Sequence, residues 1–481
     1  MEIMPQEINK EKKVKMPRTL IKESVEKIGE KIKISGWVGA RRDHGKIIFI
    51  DVKDISGVLQ IVFIPKDKEL YKTAESLGPE FAISVEGQIN QRPEKMVNDK
   101  ISTGKVEMLA EKLEILSKSE TLPFELDTDK EPNEEIRLEY RYLDLRREKM
   151  RENILLRGRA IKFMRQYFWD KGFTEIETPL LIKSTPEGAR DYIVPARLEQ
   201  GKFYALPQSP QLYKQILMIA QFEKYFQVAK CLRDEDTRGD RQPEFTQFDV
   251  EMSFVEQEDI INLMENMLIE LVKKETPEKH ITKIPFPRLT YKEAMEKYDS
   301  DKPDIRKDKN DPNELAFCWV VDFPMFEWKE TENRWDATHH PFTMPQEQDI
   351  EKIKKDPGKI LAFQYDVALN GYEIGGGSMR SHKPEVLEAV FEIMKHSKEN
   401  IQRKFGSFLK AFKFGVPPHG GIALGLDRLL MILRNENSIR DVIAFPKDGR
   451  GKDLMMNAPS QVDEEQLKEL NIKIVNKDKN K

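Results

Sequence analysis

Hydrophobic and polar positions change period along the 481 residues. From Lys31 to about Ser119 they alternate in short runs: "KIKISGWV", "KIIFIDVKD", "VLQIVFI", "FAISVEGQI" and "KVEMLAEKLEIL". Alternation with period two marks half-buried strands. Gly and charged turns part the runs, and "KELYKTAESLG" interrupts them with a helical period. Five short strands with one helix predict a small β-barrel of the OB type over residues 18–119. Residues 1–17 are polar and Lys-rich and are expected to be flexible. "ETLPFELDTDKEPNEEIRLEYRYLDLRR" reads as a hinge or linker, residues 120–150, that leads into a helix.

Beyond Met150 the pattern lengthens. "RENILLRGRAIKFMRQYFWDKGF" has helical period, with Ile154, Ile161, Met164 and Phe168 on one face. Residues 256–274 predict a second amphipathic helix, and about 383–413 one long helix. Strands are predicted at "YFQVAKCL", "FTQFDVEMSF", "CWVVDFPMFEW" and "ILAFQYDVALNGYEIGGGSMR". "PRLTYKEAMEKYDSDKPDIRKDKNDPNELAF" reads as an irregular, charge-rich connection, and the tail, 464–481, as a short Lys-rich helix. Runs of strands with helices around them predict an α+β domain over residues 151–463, with a mainly antiparallel sheet flanked by helices.

Composition narrows the classes. Lys plus Arg is 80 and Asp plus Glu is 84, a net charge of −4. Any nucleic-acid contact must then come from local patches. Two cysteines, Cys231 and Cys318, far apart, speak against a disulfide framework and a Cys-based zinc site. No apolar run approaches the ~18 residues of a membrane span. The N-terminus has no apolar h-region of a secretory signal, so a cytoplasmic location is expected.

The candidate chemistry begins at "CLRDEDTRGDRQPEFTQFDVEMSF". The connection between its two strands is longer and more charged than the two to five residues a hairpin needs. Arg233, at a strand end, is fixed, and its planar fork suits phosphate or carboxylate. Glu235 can accept from a base amino group, and Arg241 can reach over phosphates. Asp249 and Glu251 alternate and so share one face. "DVALNGYEIGGGSMR" sets Asp366 and Glu373 around an Asn-Gly turn, and paired carboxylates are typical of Mg²⁺ that carries phosphates. In "GLDR", Gly425 allows close backbone approach and Arg428 sits just inside a helix start. Each feature alone is weak. A lone loop Arg is usually a solvated charge, Gly-rich turns are common, and a His339–His340 pair is more often structural. These residues by themselves give an anion-binding α+β domain beside a β-barrel.

Together, however, they resemble the class II aminoacyl-tRNA synthetases, specifically the bacterial-type aspartyl group, from about Pro17 to Pro459. "KGFTEIETP" resembles motif 1, the charged hairpin motif 2, and "GGIALGLDRLLMIL" motif 3. "STPEGARDY", "QSPQLYKQ", "HHPFT" and "GYEIGGGSMR" resemble aspartate-type signatures. The resemblance implies activation of L-aspartate with ATP and Mg²⁺, then transfer to the 3′-terminal ribose of tRNA(Asp). It implies Arg233, Glu373 and Arg428 as the catalytic set. Glu187, Gln211, Lys214, Arg233, His339 and Arg380 are implied around aspartate, with Lys214 and Arg380 as a cationic pair facing its side chain. Arg233, Asp234, Glu235, Gln242, Glu373, Gly425, Leu426, Asp427 and Arg428 are implied around ATP. Asp366 and Glu373 would hold the metal, and Pro179 would lie at a homodimer interface. On the barrel, Phe49 would stack an anticodon base while Arg42, Gln60, Arg92 and Glu107 make polar contacts. The bland alternative for Phe49 is strand core, since "IIFID" is apolar on both faces.

Two departures stand out. Relatives of this type carry an extra domain between motifs 2 and 3; here a compact surface loop at 307–316 is expected instead. And "RRDHG" carries His44, a residue frequent in relatives that also charge tRNA(Asn), which implies relaxed tRNA choice. The alternatives are an asparaginyl-type enzyme and a catalytically inactive RNA-binding paralogue.

Overall fold

The computed structural model describes residues 16–128, 130–184 and 188–475. Nearly all of the 1–17 segment and the end of the tail lie outside them. Two compact units divide the chain, Met1–Glu125 and Leu126–Lys481.

The first unit is a barrel of β1 (Lys31–His44), β2 (Ile47–Asp54), β3 (Gly57–Phe63), β4 (Ala82–Gln91) and β5 (Val106–Ser117). It closes in the order β1-β2-β3-β5-β4. Helix α1 (Lys68–Glu75) enters between β3 and β4, its first turn capped by the Asp67 carboxylate, which accepts from the Glu69 and Leu70 amides. Alternation along β2 buries Ile48, Ile50 and Val52 in the barrel core. Phe49 and Asp51, pointing the other way, are only half-buried.

The second unit is built on eight strands: β6 (Thr174–Glu175), β7 (Lys224–Leu232), β8 (Glu244–Ser253), β9 (Arg288–Thr290), β10 (Phe317–Val321), β11 (Gln364–Leu369), β12 (Tyr372–Met379) and β13 (His419–Gly425). Their order is β9-β10-β11-β12-β13-β8-β7-β6. The interior pairs are antiparallel, and only the outermost, β9–β10 and β6–β7, are parallel. Helices α2 (Glu148–Asp170) and α4 (Gln257–Glu275) cover one face, with α3 (Gln211–Ile219) between them in the chain. Met164 and Phe168 of α2 and Ile260, Met264 and Leu268 of α4 pack on Phe226, Phe248, Val250 and Ile422. Helix α5 (Leu426–Leu433) follows β13 directly. Among the described residues no helix is long and apolar enough to cross a membrane.

Three expectations are corrected. The long helix over 383–413 is two, Pro384–Ile393 and Lys398–Ala411. Lys395 adopts a left-handed φ of 57°, and Ser397 then caps the second helix by accepting from the Asn400 amide at 3.2 Å. The connection after Pro287 is not wholly irregular: it contains β9 and a helix, Tyr291–Tyr298, started by a capping box between Thr290 and Glu293. Further on, the expected surface loop 307–316 is a turn-rich loop only to residue 313, since Glu314–Leu315 is a short buried strand paired with His280–Ile281. The buried Glu314 carboxylate draws it in, accepting from the Lys307 and Asp308 amides at 2.8 Å each.

Candidate active site

Strands β7 and β8 pair from Glu244↔Leu232 to Met252↔Lys224, leaving residues 233–243 as their connection. Arg233 closes the pair through its amide to Pro243 O at 2.8 Å. Its guanidinium lies 4.9 Å from the Phe245 ring and donates to Gln208 O at 3.3 Å. Stacking and a backbone acceptor thus hold the fork still. Arg241 lies 3.6 Å from Glu235, an exposed pair. Both face a cleft of ≈390 Å³ lined by β8, β11, β12 and β13.

One end of the cleft holds a buried charge set. The Lys214 ammonium is 2.8 Å from Asp249 and 3.2 Å from Glu251. Glu251 also accepts from Arg380 Nε at 2.9 Å and Nη2 at 3.1 Å. Arg380 donates further to Ser378 Oγ at 2.6 Å and Gly421 O at 3.3 Å. These four bonds leave one of its five N–H groups for a ligand. The expected cationic pair, Lys214 and Arg380, thus comes with carboxylate partners from β8. The reason is burial, since unpaired charges there would be prohibitively costly. Burial raises the Asp249 carboxyl above its usual range. It pushes Glu251 the same way, but the charges of Arg380 and Lys214 prevail and hold Glu251 down to about 2. Burial, with Arg380 and Lys214 nearby, lowers His340 to about 3 and keeps it neutral. The Gln211 amide nitrogen, also buried in the cleft, has no partner among the described residues. A buried donor left open in a polar cleft calls for an acceptor on a ligand.

At the other end, Asp366 and Glu373 converge over Gly376. A Cβ at 376 would sit 2.8 Å from Asp366 Oδ1 and 3.4 Å from Glu373 Oε1. Burial and then the neighbouring Asp366 raise the Glu373 carboxyl. Two carboxylates in one cradle, one of them reluctant to ionise, suit a divalent cation whose other ligands come from phosphates and water. No group of three or more metal-ligating side chains occurs among the described residues. His339 pairs with Asp366 at 3.5 Å. Burial alone would lower its imidazole, but the hydrogen bond to Asp366 and the charges of Asp366 and Glu373 raise it. It nonetheless keeps 32% of its side-chain surface, because it faces the open cleft. Arg428 donates to Glu373 O at 2.9 Å and pairs with Asp240 at 3.2 Å. Gly425 borders the cleft, where a Cβ would meet only Ile374 O at 3.7 Å, so no protein neighbour demands glycine there.

Of the remaining expected residues, Asp234 and Leu426 lie off the cleft, while Gln242 and Asp427 border it but are held by other partners. The Asp234 amide donates to Arg190 O and its carboxylate pairs with Arg190 at 3.4 Å, off the cleft. Leu426 is fully buried in the core. Asp427 borders the cleft but is engaged in a clamp, pairing with Arg157 and accepting from the Thr246 amide at 2.9 Å. The Gln242 amide is bound at both ends by the Lys447 backbone, at 2.8 and 3.2 Å. Glu187 lies outside the described residues. Pro179 is exposed, followed by Leu180 and Leu181, each 52% exposed. Ser378, which accepts from Arg380, and Gln364, which donates to Asp366 Oδ1 at 2.7 Å, carry no mark in the sequence beyond their place on β12 and β11.

The barrel residues meet on one face. Arg42 forks onto Asp51 at 2.8 and 2.9 Å and reaches Gln60 at 3.3 Å. Gln60 donates to Glu107 at 2.8 Å, and Arg92 lies 3.8 Å from Glu107. Phe49 pairs in register with Arg42, and the His44 ring meets it edge-on at 5.7 Å. An aromatic ring among spaced polar groups on the open face of such a barrel can stack a single-stranded base.

Residues 133–449 match the family described as tRNA synthetases class II (D, K and N), and residues 32–116 match the OB-fold nucleic acid binding domain. The chain is similar to the aspartate–tRNA(Asp/Asn) ligase of Rubrobacter xylanophilus, 41% identical over 93% of this chain and 95% of the relative. It is 43% identical to that of Dictyoglomus turgidum over 93% and 96%. The first alignment runs to 570 positions, more than the 481 residues here, so that relative carries residues without a counterpart in this chain. In fold the chain is similar to asparaginyl-tRNA synthetase from Pyrococcus horikoshii complexed with asparaginyl-adenylate, with a TM-score of 0.72 at 23% identity over 89% of this chain and 98% of that one.

Proposed function

The chain belongs to the class II tRNA synthetases of the D, K and N group, and from that premise we propose that it is an aspartate–tRNA ligase acting on tRNA(Asp) and tRNA(Asn). The observation that carries the choice of amino acid is the buried set Lys214, Asp249, Glu251 and Arg380 beside the open Gln211 donor. The fixed Arg380 N–H, the ammonium and the Gln211 amide all donate. A side-chain carboxylate accepts from each; an asparagine amide would turn its own N–H groups onto donors and leave them unpaired. Lysine would bring a further cation to a charge set already balanced.

Arg233 lines the same cleft, where it would bridge the substrate α-carboxylate and the α-phosphate of ATP. One carboxylate oxygen attacks the α-phosphorus and the bond to pyrophosphate breaks, giving aspartyl-adenylate. The terminal ribose hydroxyl of the tRNA then attacks the activated carbonyl, with AMP leaving. No protein nucleophile is needed; the fork of Arg233 holds the anions together and Arg428 meets charge building on the leaving phosphates. Glu235 would accept from the adenine amino group. Asp366 and Glu373 would hold Mg²⁺, which when bound offsets phosphate charge. Asp234, Gln242, Leu426 and Asp427 act by shaping the loop and helix around the nucleotide, and Glu187 would cover the amino acid.

The barrel would read the anticodon through Phe49, Arg42, Gln60, Arg92 and Glu107, with His44 relaxing the choice of tRNA. The exposed run from Pro179 to Leu181 supports a homodimer through that surface, and the proposed work is cytoplasmic. ATP–pyrophosphate exchange with aspartate, asparagine and lysine tests the reading. Exchange with aspartate alone is expected; exchange driven by asparagine or lysine would overturn it.

A further inference from the structure

Residues 438–449 are an irregular segment after α5, and two separate sets of bonds converge on them. The first set reaches forward to the charged loop of the cleft. Ser438 Oγ and the Ile439 amide donate to Gly239 O at 3.1 and 2.9 Å, and Lys447 binds the Gln242 amide through its backbone. Thr237 Oγ1 donates to Gly449 O. Ile439 itself borders the cleft. The second set comes from the short helices Glu134–Glu139 and Arg141–Asp144, which no contact of the cleft includes. Arg141 donates to Ala444 O at 2.9 Å, Arg440 O at 2.7 Å and Ile443 O at 2.8 Å, while Asp144 holds its other arm. Arg137 reaches Asp441 at 2.8 Å, and Glu134 accepts from Arg440 at 2.7 Å.

Arg141 is 2% exposed and Asp144 fully buried. A guanidinium placed there serves three carbonyls that accept from no backbone amide among the described residues. Only a fixed fork can do this; an ammonium on a flexible stem cannot hold the same three acceptors. Beyond the single 3-10 turn Ile439–Asp441, the segment has no regular structure to set its own shape.

We infer that Arg141 is a positioning residue for nucleotide binding, acting through residues 438–449 on residues 237–242 of the charged loop, and through them on ATP but not on the amino acid. The inference rests on the cleft being the ATP site proposed above. The amino-acid end lies outside its reach, since Lys214, Asp249, Glu251 and Arg380 make none of these contacts.

Arg141→Lys in the full chain tests it, read by calorimetric titration with ATP and by pyrophosphate exchange at varied ATP and aspartate. ATP affinity should weaken roughly tenfold, which corresponds to about 1.4 kcal/mol, and the ATP KM should rise with it. The aspartate KM should stay within about twofold. Asp441→Asn trims the same link where Arg137 holds it and should give a weaker version of the same split. It keeps the test open if the lysine variant fails to fold. A folded variant with unchanged ATP affinity, or with both KM values raised alike, overturns the inference. The binding titration needs no turnover. A parent protein that binds ATP yet exchanges no pyrophosphate would sink the proposed activity while leaving the Arg141 effect readable; one that binds no ATP sinks both.

Discussion

Replacing Glu251 by glutamine separates a balanced charge set from two independent cations at the amino-acid end of the cleft. Glu251 has no exposed surface, takes both Nε and Nη2 of Arg380, and lies 3.2 Å from the Lys214 ammonium. Glutamine keeps the size and removes the charge, so two buried cations would share Asp249 alone. Removing one partner of a buried pair costs about 3–5 kcal/mol. The titration of Glu251 gives a second figure. Burial opposes ionisation, yet Arg380 and Lys214 hold the carboxyl down to about 2. Against about 4.3 for an unfolded chain, at about 1.4 kcal/mol per pH unit, the charged form stabilises the fold by about 3 kcal/mol. The folded pKa is the depressed one, so this stability is present above about pH 4.3 and is lost as pH falls toward 2. Urea unfolding of Glu251→Gln near neutral pH should therefore show a loss of about 3 kcal/mol that shrinks in acid. In pyrophosphate exchange the aspartate KM should rise about tenfold or more as Arg380 loses its anchor, while the ATP KM holds. A variant with the parent's urea midpoint at neutral pH and an unchanged aspartate KM would refute the reasoning.

Arg233→Lys should lower kcat for exchange about 10²-fold or more without moving the unfolding midpoint, because the stacked fork is replaced by a point charge; a fully active variant would remove Arg233 from the chemistry. His44→Leu should leave exchange untouched and reduce charging of tRNA(Asn) relative to tRNA(Asp), measured with both transcripts; equal charging would strip His44 of any part in tRNA choice. His340→Gln addresses acid stability. Burial and its cationic neighbours lower His340 to about 3, against about 6.5 in an unfolded chain. A base held neutral by the fold makes stability fall as pH drops below about 6.5, with the loss complete near 3. The variant should flatten that limb in a urea series across pH, and an unaltered limb would contradict the assignment.

Period and charge make much of this legible in the sequence alone. Alternation along "IIFID" placed β2 in a barrel, though which of its apolar residues faced outward depended on the closure of β1 onto β4. The density of charge between Arg233 and Glu244 marked the cleft, and Asp249 and Glu251 were readable as one face of a strand. Their partners were not. Lys214 and Arg380 come from α3 and from beyond β12, so the neutralised pocket exists only once the sheet order is known. The break at Lys395 was hidden because Met394 and Ile401, seven residues apart, keep helical spacing across it; the Ser397 cap was its one local sign. Thr290 and Glu293 carried a capping box that the surrounding charge obscured. The bonds from Arg141 are likewise invisible in "RYLDLRR", since their acceptors are backbone carbonyls some 300 residues later in the chain.

The most direct measurement is attachment of labelled aspartate to tRNA(Asp) and tRNA(Asn) transcripts side by side, with asparagine as the control amino acid. Aspartate should appear on both tRNAs and asparagine on neither. Folded protein that charges neither tRNA with aspartate, or that attaches asparagine instead, would contradict the proposed activity.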